Sequence, residues 1–469
     1  MKNSTSDDLI DPNYEIPFRT LAPGIVWPPI LGSAGAQVLA LQFYFDRSQQ
    51  WPAERLQARQ FEQLGALVHH ADANLPHQRK QLRLAGVRPG VPLSMELWQE
   101  VPFLLRQDLQ ANAKAMIAQK LDPTHGKCEL HQTSGSTGEP VSVLKTEIAR
   151  VMWQANALRE TLWQRFDLTA PTASITRDHA NKSWPPDGSV NASRADPSQG
   201  GVIKGETAKL DIRSSMADQL DWLLRKKPAY LISTPSNLTL LALLCQRTGT
   251  KLPGLRQIRC YGEVTTDDFR ALCADVWGVG VISTYSCEEV GYIALQCPKH
   301  PHYHVCSETI MVEVINDMGM ACQPGEIGRV VLTPLHNFAM PLFRYVLGDY
   351  AEVGEPCDCG RTLPVLKRIL GRERNHMVLP NGERRYAFIG ARFLGAVPSI
   401  AQYQAVQTTR ETIEIRVVLH RPMTPEEETT LRNMVLKAID HPFRLEIIPV
   451  DSIPRTQTGK YEDFRCEVE

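Results

Sequence analysis

Thr133-Ser134-Gly135-Ser136-Thr137-Gly138-Glu139-Pro140 sets the direction for the whole chain. Its first six residues are all small, hydroxylated or glycine. Glycine lets backbone N–H groups approach an anion closely and hydroxyls add further donors, so such a loop suits a polyphosphate. It is not the nucleotide loop that ends in Gly-Lys-Ser/Thr, because Gly138 is followed by Glu139 rather than lysine. Composition alone also allows an ordinary polar surface loop, since small polar residues dominate loops.

On either side of this loop the chain shows helical spacing. Residues 54–77 place Leu56, Phe61, Leu64, Leu67 and Val68 on one side, and residues 146–166 do the same with Ile148, Val151, Met152, Ala155, Leu158 and Leu162. Between 171 and 200 the sequence turns polar and rich in Pro, Ser and Asp, which predicts a long surface loop. Alternation follows: strands at 229–234, 257–262 and 280–286, with helices at 236–249 and 265–277 between them. Strands alternating with helices predict an α/β layer of parallel strands. From 308 onward ETIMVEVI and GRVVLTPL predict two strands around a turn at Pro324-Gly325, in a second, antiparallel sheet.

The last hundred residues read as a unit of their own. TIEIRVVLH (412–420) directs Ile413, Ile415 and Val417 to one face. Thr424-Pro425-Glu426-Glu427 supplies an N-cap, a proline at the first helical position and the glutamate of a capping box. The helix runs on through Leu431, Met434, Val435 and Ile439, and a strand follows at 444–450. The expected division is a body of 1–370 and a small domain of 371–469, with the boundary near Gly371-Arg372.

Balanced composition fits a soluble globular enzyme rather than a disordered or fibrous chain. Lys+Arg is 51 against Asp+Glu at 52, so no bulk charge points to nucleic acid or an anionic membrane. The polar, acidic N-terminus MKNSTSDDLIDPNYE lacks the apolar core of a signal peptide. The greasiest stretch, residues 25–45, is broken by Pro28 and Pro29 and diluted by Gln37 and Gln42, which predicts a core segment rather than a membrane span. A cytoplasmic, reducing location is expected. The 11 cysteines are odd in number and too sparse for a disulfide scaffold, which leaves thiols or metal ligands.

Five segments, in order, make a resemblance. TSGSTGEP resembles the phosphate loop of the adenylate-forming enzymes, and Cys260-Tyr261-Gly262-Glu263 resembles their adenine-side strand and turn. Tyr285-Ser286-Cys287-Glu288-Glu289 is similar to the family's aromatic–Gly–x–Ser/Thr–Glu motif, with Ser286 where glycine is common. Met340-Pro341-Leu342-Phe343-Arg344-Tyr345-Val346-Leu347-Gly348-Asp349 is similar to its MPL-x-RY-x-x-x-D segment. Pro454-Arg455-Thr456-Gln457-Thr458-Gly459-Lys460 matches P-R-T-x-x-G-K. The likeness is nearest to the phenylacetate–coenzyme A ligases and runs from about residue 54 to 466.

That resemblance implies an α/β fold with a large multi-subdomain body and a small α+β cap that rotates between half-reactions. It implies that a carboxylic acid, aryl or arylacetic by likeness, attacks the α-phosphorus of ATP and that a thiol then takes the acyl group. Thr133, Ser134, Gly135, Ser136, Thr137 and Gly138 would hold phosphates, Glu289 would bind Mg2+, Asp349 would take the ribose and Tyr285 would stack on adenine. Ser286, Gly262, Glu263 and Arg372 join the nucleotide-binding set, and Lys460 bridges the substrate carboxylate and the α-phosphate. The hinge falls on Arg374 or Asn375. Expected partners are a small acid and coenzyme A, or else an acyl carrier protein or an amine, without nucleic acid or membrane. A homodimer is compatible, and a non-catalytic nucleotide-binding descendant is the reading from another class.

One cysteine and histidine pattern stands apart. Cys297-Pro298-Lys299-His300 precedes His302, His304 and Cys306, and Cys357-Asp358-Cys359-Gly360 follows about fifty residues later. Zinc takes four tetrahedral N/S ligands, and two short knuckles can close such a site. Likeness to zinc-containing members of the family selects Cys297, His300, Cys357 and Cys359 for a structural Zn2+, with Cys306 as a competitor. The remaining cysteines fit small buried apolar positions.

Overall fold

The computed structural model describes residues 18, 20, 22–25, 27–132, 140–191, 195–196, 202–203, 205–372, 376–386, 395–453 and 463–468. The loop 133–139, the hinge candidates Arg374 and Asn375, and the segment 454–462 with Lys460 lie outside the described residues. The chain divides into two compact units, one of 1–170, 192–206 and 284–369, the other of 171–191, 207–283 and 370–469.

In the first unit the predicted helices form close to their expected bounds. Ala53–Asn74 buries Leu56, Leu64, Leu67 and Val68, and a second helix, Pro76–Leu84, starts at once with proline at its first turn. Glu147–Trp163 is capped by Thr146, whose side chain accepts from the Ala149 N–H at 3.1 Å. Residues 25–45 run into the helix Ser33–Ser48, which buries Gly35, Val38, Gln42, Phe45 and Ser48 while Phe43 and Tyr44 remain exposed. Among the described residues no helix is long and apolar enough to cross a membrane.

The strands of this unit follow the order Ile310–Ile315, Ile327–Pro334, Tyr345–Val353, Val365–Arg372, Tyr303–Val305, Gly291–Gln296 and the end of Gly280–Cys287. Ile310–Ile315 and Ile327–Pro334 pair antiparallel, as the sequence predicts, but they are not a separate sheet. Both faces are covered: Ile310, Met311, Val330, Val331 and Leu332 are all at most 2% exposed, so the strands sit inside a larger sheet. The strands flanking the glycine-rich loop, Cys128–Gln132 and Ser142–Thr146, pair antiparallel with Gln132 opposite Ser142.

The second unit holds the parallel layer. Gln257–Tyr261, Tyr230–Ser233, Thr172–Thr176 and Thr207–Asp211 run parallel in that order, with Ser189–Asn191 antiparallel at the end. The prediction of a surface loop across 171–200 is therefore wrong over Thr172–Thr176. This strand carries only Ala173 and Ile175 as apolar residues, both 0% exposed, and the Pro, Ser and Asp around it mask so short a signal. The helices Pro235–Thr248 and Asp267–Trp277 end on Gly249 and Gly278, both at positive φ.

The C-terminal strands of this unit form a four-stranded sheet in the order Arg444–Pro449, Thr412–Leu419, Ile400–Gln407 and Phe464–Cys466. Ile413, Ile415 and Val417 are fully buried against the helix Pro425–Ile439. Its capping box forms as read: Thr424 Oγ1 accepts from the Glu427 N–H at 3.2 Å, and Glu427 accepts from the Thr424 N–H at 3.0 Å.

Candidate active site and thiol cluster

Glu289 sits in the tight turn between the strands Gly280–Cys287 and Gly291–Gln296. The register of this hairpin shifts between Tyr285 and Ser286, a bulge that re-aims the side chains around it. Gly291 follows at φ +99°, where a Cβ would also press on the Trp153 ring at 3.2 Å. The backbone therefore favours glycine at this corner on two counts.

Glu289 is only 4% exposed, so its charge needs partners. Arg106 Nη1 donates to Oε1 at 3.2 Å, and the Tyr345 hydroxyl donates to the same oxygen at 3.3 Å. Burial pushes the Tyr345 phenol far up, so it stays a donor. Arg106 reaches this place because Leu104 is bridged to Tyr345: the Leu104 N–H donates to Arg344 O at 3.0 Å and the Val346 N–H to Leu104 O at 2.9 Å. Lys145, on the strand after the glycine-rich loop, is 9% exposed and lies 5.4 Å from the Trp153 ring centroid. Burial lowers its pKa, and the nearby carboxylates of Glu288 and Glu289 oppose that shift.

Tyr285 is 8% exposed, and its hydroxyl donates to Asp349 Oδ2 at 3.1 Å. Asp349 follows Gly348 at φ +83°, on the strand that begins with Tyr345. Two segments far apart in sequence thus form one hydrogen-bonded unit: Tyr285 and Glu289 from the hairpin, Tyr345 and Asp349 from Tyr345–Val353. Ser286 is half-buried beside them. Arg344, within the same quoted segment, has another task. It is 2% exposed, forks onto Glu313 at 3.1 Å through both Nε and Nη2, and donates to Val101 O at 2.7 Å. It fastens the 99–101 backbone to the sheet.

In the second unit Gly262 turns the chain at φ +76° after the strand Gln257–Tyr261. Glu263 accepts from the Ser236 N–H and from Ser236 Oγ, both at 2.9 Å. That places its carboxylate at the start of the helix Pro235–Thr248, where negative charge is favoured. Arg372 closes the strand Val365–Arg372, half-buried. Thr133, Ser134, Gly135, Ser136, Thr137, Gly138 and Lys460 fall outside the described residues.

The cysteine pattern converges, with one change of histidine. Cys297, Cys357 and Cys359 come together with His304, their ligand atoms all within 4.8 Å of one another. Cys297 Sγ lies 3.9 Å from Cys357 Sγ, and Cys359 Sγ lies 3.3 Å from His304 Nε2. A tetrahedron with Zn–S bonds of about 2.3 Å has edges of about 3.8 Å, so these two spacings are close to what the ion requires. His304 Nδ1 faces Leu363 O at 3.4 Å, which puts the proton there and leaves Nε2 free to ligate. Hydrogen bonding from Cys297 holds the Cys359 thiol far below its usual value, while the same bond pushes Cys297 up and burial raises Cys357. Three crowded thiols cannot all ionise without a cation between them.

His300 pairs its Nε2 with Asp358 Oδ1 at 2.5 Å and stacks on His302, and with Asp358 and Cys357 it forms a second group whose ligand atoms lie within 4.8 Å of one another. Cys306 is buried outside the cluster. Cys245, Cys260, Cys273 and Cys322 are buried as expected, whereas Cys128 is exposed.

Four residues of these two places escaped the sequence reading: Arg106, Lys145, Tyr345 and His304. Tyr345 stood inside a quoted motif with no role attached. His304 carried a signal in the alternation His300, His302, His304, because it lies on the strand Tyr303–Val305, where it pairs with Val365. Arg106 had none, since it is placed by the bridge from Leu104 to Tyr345, about 240 residues away.

No family model matches the chain. Curated relatives include a phenylacetate-coenzyme A ligase of Thermus thermophilus, 24% identical over 451 residues, covering 87% of this chain and 96% of the relative. Another of that name, from Aromatoleum evansii, is 24% identical over 337 residues, covering 70% and 72%. Among solved structures, a 2-hydroxyisobutyryl-CoA ligase in its postadenylation state with 2-HIB-AMP superposes with a TM-score of 0.69 at 19% identity, over 90% of this chain and 91% of that one. An anthranilate CoA ligase with anthranoyl-AMP superposes with a TM-score of 0.52 at 17% identity, over 79% and 74%. The resemblance read in the sequence is thereby borne out: the fold is that of the acyl-CoA ligases of the adenylate-forming superfamily, and the curated relatives are phenylacetate–CoA ligases.

Proposed function

We propose that this protein is an AMP-forming acid–thiol ligase that activates an aryl or arylacetic acid as its acyl-adenylate and passes the acyl group to coenzyme A. The observation that carries this reading is the hydrogen-bonded unit of Tyr285, Asp349, Glu289 and Tyr345. It joins the two motifs that the resemblance assigns to nucleotide and metal, and it supplies each with an oriented carboxylate, buried at Glu289 and half-buried at Asp349.

In this reading Asp349 receives the ribose hydroxyls, and Tyr285 both faces the base and keeps Asp349 turned toward the sugar. Glu289 is the protein's carboxylate for Mg2+, a cation that often takes only one or two such ligands besides phosphate. Bound there, the ion would neutralise charge on the leaving pyrophosphate. Arg106 and Lys145 keep positive charge close to the same carboxylate. The glycine-rich loop 133–138 holds phosphates, and Lys460, on a cap of 371–469, offsets the charge that gathers as the acid attacks. The zinc ligands are Cys297, His304, Cys357 and Cys359, supported by the convergence of their donor atoms within 4.8 Å of one another.

The test is acid-dependent release of pyrophosphate over aryl, arylacetic, fatty and amino acids, with and without coenzyme A. Turnover with an aryl or arylacetic acid and thioester formation on coenzyme A are expected. Poor turnover with free coenzyme A but rapid loading of a holo carrier protein would reassign the acceptor. No exchange with any acid would leave a nucleotide-binding descendant. Lys460→Ala should lose adenylate formation while the fold survives, and unchanged exchange in that variant would remove Lys460 from the reaction.

A further inference from the structure

The thiol cluster reaches beyond its ligands through one arginine. Arg361 is 6% exposed. Among the described residues it makes no ion pair with a carboxylate, although Asp46 feels its charge at longer range. Its Nη1 instead lies 3.6 Å from Cys359 Sγ. A buried guanidinium is costly unless an anion stands opposite. Three thiolates and a neutral imidazole around a dication supply one, because the centre keeps a single net negative charge.

The same guanidinium covers an aromatic ring. Arg361 Cζ is 4.3 Å from the centroid of Trp163, the last residue of the helix Glu147–Trp163. His304 meets that ring edge-on, with centroids 5.8 Å apart at 87°. Trp163 Nε1 donates to Gln49 Oε1 at 3.1 Å, and Arg159 Cζ stands 4.9 Å from the ring. Three residues before Trp163, fully buried Glu160 accepts a short hydrogen bond from Thr284 Oγ1. Thr284 is the neighbour of Tyr285, so a continuous run of contacts leads from the thiols to the hairpin with Tyr285 and Glu289.

We propose that Arg361 is the counter-cation of a monoanionic metal–thiolate centre and that Arg361 and Trp163 are positioning residues through which the occupied centre holds the Glu147–Trp163 helix against the strand of Tyr285. This rests on the metal reading above, though not on the identity of the acid or the acceptor. Metal loss releases the thiols and His304 from a fixed tetrahedron, so Cys359 is no longer held opposite Arg361 nor His304 against one side of Trp163. The change is then felt at the Glu160–Thr284 bond before it reaches the nucleotide site.

The experiment uses the full chain loaded with zinc, with Arg361→Met, Arg361→Lys and Trp163→Phe beside it. Zinc transfer to a chromogenic chelator, tryptophan emission during chelation, and KM for ATP against kcat are read for each. Removing a partner in the outer shell of a metal typically lowers affinity about 10- to 100-fold, so Arg361→Met should release zinc at least about tenfold more readily. Arg361→Lys should recover part of the loss. Chelation should shift the emission of the parent protein and shift Trp163→Phe far less, and KM for ATP should rise severalfold with kcat nearly unchanged.

If Arg361→Met holds zinc as tightly as the parent, the counter-cation role is wrong. Unaltered emission or an unaltered KM for ATP after chelation overturns the positioning role. If the parent protein binds no zinc at all, the metal reading falls and takes this inference with it, while the ligase reading stands on its own assay.

Discussion

The Tyr285 hydroxyl donates to Asp349 Oδ2 at 3.1 Å across 64 residues of sequence. In the role proposed for Asp349, a carboxylate that takes ribose hydroxyls must keep one rotamer before the sugar arrives, because ordering it afterwards would cost binding energy. Tyr285 supplies that restraint from a buried position on the neighbouring hairpin.

Tyr285→Phe keeps the ring and removes only this bond. A hydrogen bond to a charged group contributes about 1.5–3 kcal/mol, so KM for ATP should rise roughly tenfold or more. Steady-state kinetics with ATP varied checks this, and Asp349→Ala should weaken ATP at least as much.

The choice between two histidines separates the spatial reading from the sequence reading. His304→Ala should lose bound zinc and His300→Ala should keep it, measured as metal per chain after gel filtration. Removing the metal should also lower the thermal midpoint of the parent protein, since a metal that binds only the folded chain adds its binding energy to folding.

The helix Pro425–Ile439 offers a clean stability probe. Thr424→Ala removes the side-chain arm of the capping box, keeps the Thr424 N–H to Glu427 bond, and should cost about 1 kcal/mol, read as a shift in the urea midpoint. Activity at temperatures well below unfolding should hardly change.

His336 gives a pH dependence with a defined sign. Burial pushes its imidazole down to about 4, partly offset by a backbone hydrogen bond with Thr309. In the unfolded chain it titrates near 6.5. The folded group therefore resists protonation: its contribution to stability is complete above about pH 6.5 and falls as pH drops toward 4. Urea unfolding between pH 7.5 and pH 4.5 should show a shallower loss for His336→Gln than for the parent.

The sequence could be read well where the signal is local. The strand–helix alternation from 229 to 286, the Thr424 capping box and the alternating Ile413, Ile415 and Val417 all rest on neighbours within a few residues, and all form. Reading failed where partners come from afar or the local signal is overwritten. Thr172–Thr176 hides among polar residues because only two of its five side chains are apolar. Arg106 meets Glu289 through a bridge between Leu104 and Tyr345, which no spacing rule reports. His300 fitted a knuckle pattern better than His304, yet pairing of His304 with Val365 brings His304 to the thiols and leaves His300 with Asp358. The quoted motifs named Tyr285, Glu289 and Asp349 as candidates. Their supporting side chains needed the fold.

The most direct test of the account is ATP–pyrophosphate exchange with the best aryl or arylacetic acid, comparing the parent protein with Glu289→Gln. The account predicts acid-dependent exchange in the parent and a loss of about 100-fold or more in the variant, as expected when one charged stabilising group is removed from the site of charge development. Exchange at the parental rate in Glu289→Gln, or none in the parent with any acid, would contradict it.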